Sequence, residues 1–246
     1  MSGSSFAVLN YNVRLFNKYQ WIKSENVPSL ISNFLENEDP EIITFQEYYR
    51  DKNFKLNHPY KYEKLNGGKR GNGLAIYSKY RIVNKGSLDF ENSYNNAIYI
   101  DIIRNDDTIR VYNVHLESFG IKPDSVDLNI DEKRSKKLIY RLKKSFSKQQ
   151  EQVEKFLEHR SNCPYKTIIS GDFNNTAFSW VYRKLKADLN DTFIEAGKGF
   201  GKTYSFNKYP LRIDFILSDN KFKVNQHKNY EVEFSDHEPV LARFSY

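Results

Sequence analysis

The sequence predicts a mixed α/β protein, with two packed β-sheets and helices on their outer faces. Three observations lead there. Short apolar runs of strand length recur along the 246 residues. A few segments of helical period fall between them at separated points. The 18 Tyr, 18 Phe and 2 Trp supply the volume for a large core.

Each element follows from local pattern. Met1 to Ser5 is small, polar and patternless, a cloning remnant or frayed end, so residues 6–246 read as one domain. Phe6 to Val13 alternates as a strand, with Val8, Asn10 and Asn12 on one face. Ser24 to Leu35 has a helical stripe of Val27, Leu30, Ile31, Phe34 and Leu35, with Ser24 as N-cap and Asp39-Pro40 as its stop. Glu41 to Gln46 is a buried strand that delivers Glu47 at its end. Gly73 to Ser78, Arg81 to Asp89, Ala97 to Ile103 and Thr108 to Leu116 are successive strands, with Asn105-Asp106-Asp107 turning between the last two. Asp131 to His159 is a long helix with Leu138, Leu142, Phe146, Val153, Phe156 and Leu157 near one face. Lys166 to Ser170 is a buried strand and Ser179 to Leu185 a short helix. Arg212 to Leu217 and Pro239 to Phe244 are the last strands.

Composition narrows the function. Hydrophobic residues are 39% and charged residues 28%, which excludes a disordered or collagen-like chain. No stretch is apolar enough to span a bilayer, and no signal-peptide core is present. One cysteine, Cys163, cannot form an internal disulfide. The net charge is +7, and the segment Asp131 to Lys148 alone carries +6. A basic stripe of this kind suits a polyanion, either a nucleic-acid backbone or an anionic membrane surface. It is equally a solvated helix face.

Acidic and amide residues gather where strands end: Asn12, Glu47, Asp172, Asn174, Asp214 and Asp236-His237. Loop edges of a rigid sheet are where binding groups sit. Asp214 lies between Ile213 and Phe215, so its carboxylate is exposed or paired. His115 and Glu117 share a face if their strand continues. Carboxylates and amides with few His and no Cys ligands suit a hard cation such as Mg²⁺ or Mn²⁺. Asp214 is also placed to orient His237. Together these are the parts for metal-assisted hydrolysis of a phosphate ester.

Seven blocks in order resemble the endonuclease/exonuclease/phosphatase superfamily. They are Asn10-Tyr11-Asn12-Val13-Arg14, Phe45-Gln46-Glu47, Gly73-Leu74-Ala75-Ile76, Asn113-Val114-His115-Leu116-Glu117-Ser118, Gly171-Asp172-Phe173-Asn174, Arg212-Ile213-Asp214-Phe215-Ile216 and Ser235-Asp236-His237-Glu238-Pro239-Val240. The resemblance implies a four-layer α/β sandwich of the deoxyribonuclease I kind, with the site at one end. It implies Glu47 as principal Mg²⁺ ligand, with Asn12 beside it and Asp236 completing the metal or His environment. By the same resemblance, Asp172 is expected to orient or deprotonate the attacking water with help from Asn174, His237, held by Asp214, to contact the phosphate, and His115 to be a second phosphate-contacting imidazole.

The block His115-Leu116-Glu117-Ser118 resembles that of tyrosyl-DNA phosphodiesterase 2. The start, Asn10 to Asn17 followed by Trp21, is similar to a bacterial subgroup of unassigned substrate. Many of its members carry membrane segments before this domain, which fits a soluble piece of a membrane-anchored bacterial protein. Substrate contacts are expected from Arg14, Glu117, Arg134 and the glycine-rich loop with Lys69, Arg70 and Asn72, a loop that is otherwise a plain hairpin connection. The expected activity is Mg²⁺-dependent phosphodiester hydrolysis by a monomer with no obligate protein partner. DNA is the first choice of substrate. The alternatives are hydrolysis of inositol phosphates or sphingomyelin, or a silent polyanion-binding module.

Overall fold

The structure is a computed structural model that describes residues 5–68, 71–120, 132–206 and 209–246, without the side chains of 132–134. One six-stranded sheet has the order β13 (Lys223–Asn229), β14 (Val240–Ser245), β1 (Phe6–Asn12), β2 (Ile42–Tyr49), β4 (Asn72–Ser78), β3 (Tyr60–Asn66). The second has the order β5 (Ile82–Ser87), β6 (Asn96–Arg104), β7 (Asp107–His115), β8 (Lys166–Asp172), β12 (Asp214–Ser218), β9 (Asn190–Asp191). A hairpin of β10 (Tyr204–Phe206) and β11 (Tyr209–Leu211) stands apart. Two parallel pairs need helical crossovers. β1 reaches β2 through α1 (Val27–Glu38), and β7 reaches β8 through α2 (Glu132–Ser161). The short helices α3 (Trp180–Lys186) and α4 (Thr192–Ala196) complete the fold.

The layers follow from which face each apolar residue takes. Phe6, Val8, Ile42 and Ile76 of the first sheet meet Ile100, Val111, Ile168 and Ile216 of the second. The outer face of the first sheet is covered by Ile31 and Leu35 of α1. The outer face of the second is covered by Val153 and Phe156 of α2 and Leu185 of α3. This is the expected four-layer sandwich.

Along the central strands, the inward face turns from apolar to polar toward one end. Phe6 and Val8 give way to Asn10 and Asn12, and Ile42 to Thr44 and Gln46. Ile109 and Val111 give way to Asn113 and His115, and Ile168 to Ser170 and Asp172. The period-2 alternation therefore aims all these polar groups between the sheets at the same end.

Several local expectations need correction. α1 begins at Val27, not after Ser24. Asn26 precedes it in a left-handed conformation (φ 59°), and Pro28 fits the first turn, where no N–H is needed. Its end is as read, with Asp39 left-handed and its N–H donating to the Leu35 carbonyl. β3 and β13 went unread. They are the two edges of their sheet, and their lysine-rich sequences lack an apolar run. Only the C-terminal half of α2 packs on the sheet. Leu138 and Leu142 are half-buried and Phe146 is 50% exposed.

Gly171 sits in the middle of the second sheet, paired with Val114 on one side and Phe215 on the other. A Cβ there would lie 1.9 Å from the Val114 carbonyl oxygen. Gly171→Ala should therefore cost about 3 kcal/mol or more, because rigid backbone must move. A urea titration that leaves the midpoint unchanged would contradict this close approach.

Candidate active site

Strand register assembles the site. In the second sheet Asn96, His115, Asp172 and Asp214 are successive cross-strand neighbours on β6, β7, β8 and β12. In the first sheet Asn12 ends β1 beside Gln46 of β2. Regular alternation would turn Glu47 to the outer face. Instead the pairing of β2 with β4 shifts register between Phe45 and Tyr48, and Glu47 takes φ 49°. This bulge re-aims its carboxylate into the cavity.

Asn12 ties the sheets together. Its Nδ2 donates to Asp172 Oδ2 at 3.0 Å and to Glu47 Oε1 at 3.5 Å, while its Oδ1 accepts from the Arg14 N–H at 3.1 Å. Asn174 is also left-handed (φ 49°), which lets its N–H donate to Asp172 Oδ1 at 2.8 Å. The side chain of Asn174 is spent on the Leu116 carbonyl.

The Asp214 carboxylate is buried and paired. Its Oδ2 lies 2.9 Å from His237 Nδ1, which fixes the ring and leaves Nε2 3.8 Å from Asp172 Oδ2. The Tyr204 ring packs on the imidazole with centroids 4.9 Å apart. Asp214 Oδ1 accepts from Asn10 Nδ2 at 3.5 Å. Behind it, Asn10 Oδ1 accepts from Thr44, Gln46 and Ser170, all fully buried. A polar network inside the sandwich thus backs the histidine.

The electrostatics follow from this crowding. Burial opposes charge on His237, but the Asp214 and Asp172 carboxylates outweigh it and push its pKa up to about 10. Burial, with the charge of His237, lowers His115 to about 3. Burial and the neighbouring Asp214 raise Asp172 to about 7, against the pull of His237. At neutral pH the cavity therefore holds one charged and one neutral imidazole.

Among the described residues, Asp172, Asp214 and His237 offer ligand atoms within 4.8 Å of one another. However, Asp214 and His237 already satisfy each other. Glu47 has no such charged partner at hydrogen-bond distance among the described residues. Burial raises its carboxyl, His237 pulls it back, and Asp236 adds to the rise. Its hydrogen-bond donor among the described residues is the distant Asn12 amide. Glu47 and Asp236 both line the cavity with carboxylate oxygens, the donor type a hard divalent cation takes, while Asn12 turns its NH2 rather than its oxygen toward Glu47.

The remaining predicted residues divide. Asn72, His115, Asn174, Asp236 and His237 line a cavity of about 550 Å³ with Glu47 and Asp172. Arg14 sits beside it, 3.1 Å from Asp236 and stacked 4.3 Å over Trp21. Glu117 does not line it. β7 ends at His115, and the Glu117 carboxylate turns to Lys148 and Ser93 at 3.2 and 2.8 Å. Lys69, Arg70 and the Arg134 side chain lie outside the described residues. Sequence reasoning missed a wall made of Tyr204, Phe206, Leu211 and Ile213. Its strands are three residues long, too short to leave a period.

The sequence profile of the endonuclease/exonuclease/phosphatase family matches residues 9–237. No curated protein matches the chain. Solved structures do. A humanized D. rerio TDP2 is 17% identical with a TM-score of 0.74, covering 98% of this chain and 99% of that one. The endonuclease/exonuclease/phosphatase from Bacteroides vulgatus is 16% identical with a TM-score of 0.73, covering 98% and 99%. Beta toxin 275-280 from Staphylococcus aureus is 20% identical with a TM-score of 0.63, covering 96% and 99%. At such identities the structures speak for the fold, and the profile match over nearly the whole chain speaks for more: this chain belongs to the endonuclease/exonuclease/phosphatase family.

Proposed function

We propose that the chain hydrolyses a phosphodiester in DNA, with Mg²⁺ as its cation and Mn²⁺ as a substitute. The family is one of metal-dependent phosphoester hydrolases. The observation that carries the proposal is the His237 imidazole, clamped by Asp214 at 2.9 Å and aimed past Asp172 into a cavity that also holds Glu47.

Glu47 would hold the cation, with Asn12 and Asp236 beside it. The cation supplies charge neutralisation at the phosphate oxygens. Asp172 takes the proton of the attacking water, its own geometry fixed by Asn12 and Asn174. A bond forms from the water oxygen to phosphorus, and the opposite P–O ester bond breaks as the departing oxygen takes up a proton. His237 Nε2–H is placed for a non-bridging oxygen, and His115 gives a neutral second contact.

DNA is favoured by the exposed half of α2. Lys137, Lys143 and Lys144 stand on it, and no acidic residue occurs from Ser135 to Lys148. Arg141 donates to the Gly120 carbonyl and Ser145 to the Ser118 carbonyl, and Ser118 lies on the cavity rim. A polyanion on this helix would thus lead to the catalytic groups. One observation favours a second reading. Ile139 and Tyr140 are 52% and 68% exposed beside these lysines, as an anionic lipid surface would require.

A turnover panel with Mg²⁺ decides. It holds single- and double-stranded DNA, RNA, an inositol polyphosphate and sphingomyelin vesicles. The expected result is DNA cleavage that falls steeply with salt. Cleavage confined to sphingomyelin or the inositol polyphosphate would contradict the substrate.

A further inference from the structure

Three buried side-chain amides lie in a row behind Asp214, and each can point only one way. At the far end, Asn113 Nδ2 lies 2.8 Å from the Phe45 carbonyl and 3.0 Å from the Ala75 carbonyl. A carbonyl oxygen only accepts, so the Asn113 nitrogen is fixed there and its Oδ1 faces Gln46. Gln46 Nε2 donates to that oxygen at 2.6 Å and to Asn10 Oδ1 at 2.8 Å, which uses both of its hydrogens. A reversed Gln46 would set an oxygen against two oxygens. Asn10 must therefore turn its NH2 to Asp214 Oδ1, at 3.5 Å. Thr44 and Ser170 also reach Asn10 Oδ1, but a hydroxyl can donate or accept and so imposes no direction. Among the described residues, Asn10 Nδ2 and His237 Nδ1 are the donors to the Asp214 side chain.

A second feature separates this row from plain packing. Gln46 Oε1 is buried with no donor among the described residues. A buried oxygen left in that state costs stability, so Gln46 serves here through its two N–H groups and not by stabilising the core.

We propose that Asn113, Gln46 and Asn10 form a one-way amide relay, and that Asn10 is a positioning residue for His237. The proposal rests on phosphodiester hydrolysis at this site and deepens it. An N–H on Oδ1 keeps the Asp214 carboxylate from turning, so Oδ2 stays on Nδ1 and the imidazole stays aimed into the cavity. The row leaves the second sheet at Asn113, passes through the first at Gln46 and Asn10, and returns to the second at Asp214. It begins on the carbonyl of Phe45, two residues before Glu47. The strand end that delivers Glu47 thus also sets His237.

Asn10→Ala and Gln46→Leu test this by two readouts. The first is the ring N–H proton of His237, observed by NMR in chelator on protein labelled with ¹⁵N-histidine and assigned by its loss in His237→Gln. In wild type it should lie far downfield, as a short bond to a held carboxylate requires, and in both variants it should move upfield. The second is hydrolysis of bis(p-nitrophenyl) phosphate at saturating Mg²⁺. There kcat should fall about 10–100-fold, the range for a partner that orients a functional imidazole, while KM holds. Asn10→Ala takes the acceptor from three donors and should also lose stability. Gln46→Leu removes an unpartnered oxygen and should fold even where Asn10→Ala does not. An unmoved His237 signal in a folded variant, or a loss confined to KM, would overturn the relay. A chain that hydrolyses no diester, but whose signal moves as expected, would keep the relay and lose the proposed function.

Discussion

Asp172→Asn should lower kcat by about 10²–10⁴-fold, the usual worth of one acid–base group, without lowering thermal stability. The side chain is fully enclosed, and the amide fills the same space and keeps the partners that can be kept. Stability and activity separate here because of the sign of the pKa shift. Asp172 is raised to about 7 in the fold by burial and by Asp214. The folded state therefore binds a proton that the unfolded state has released, and stability falls as pH rises from about 4 to about 7. Above that range the ionised carboxylate is a burden that Asn lacks. In chelator at pH 8, the melting temperature of the variant should equal or exceed that of wild type. A clear drop would show that Asp172 is structural. His237→Ala should behave differently, losing activity and also stability, since it strands Asp214 as a buried charge beside Asp172.

The same two groups set the pH profile. The rate should rise as Asp172 loses its proton, near pH 7, and fall as His237 loses its own, near pH 10. A bound cation moves both limbs down, so their order is the firm expectation. An alkaline limb that persists unchanged in His237→Gln would contradict the assignment.

Glu47→Gln should have the second large effect, on the cation. Gln keeps the hydrogen bond to Asn12 but gives up the charge. The Mg²⁺ concentration for half-maximal rate should rise at least about tenfold, a lower bound taken from losses at groups that only support a ligand. The wild-type melting temperature should climb as Mg²⁺ is added, and that climb should flatten in the variant. Because burial already disfavours the Glu47 carboxylate, the variant without cation should be no less stable than wild type. An undiminished Mg²⁺ response would move the cation to the trio of Asp172, Asp214 and His237.

Much of this was legible in the sequence, for reasons specific to each part. Central strands announce themselves because burial on both faces demands apolar runs, as in Thr167 to Ser170. Edge strands β3 and β13 do not, because an edge carries lysines to stay unpaired. Asp214 was conspicuous as a charge inside an apolar strand, and the Asp214–His237 pair followed from it. What lay beyond reach depends on backbone geometry. The bulge that turns Glu47 inward leaves no trace in composition. Glu117 was placed beside His115 by strand alternation, which fails because the strand stops at His115. The apolar stripe from Leu138 to Leu157 runs along most of α2, yet a stripe cannot say where the sheet beneath it ends.

The central claim is that Glu47, Asp172 and His237 form one cation-dependent phosphodiesterase site. Hydrolysis of bis(p-nitrophenyl) phosphate tests it most directly, after chelation and Mg²⁺ add-back, in wild type, Glu47→Gln and His237→Ala. The expected result is wild-type turnover that vanishes with chelator and returns with Mg²⁺, is lost in His237→Ala, and in Glu47→Gln returns only at Mg²⁺ concentrations at least about tenfold higher. Turnover that survives chelation, that His237→Ala retains, or that Glu47→Gln recovers at the wild-type Mg²⁺ concentration would contradict it.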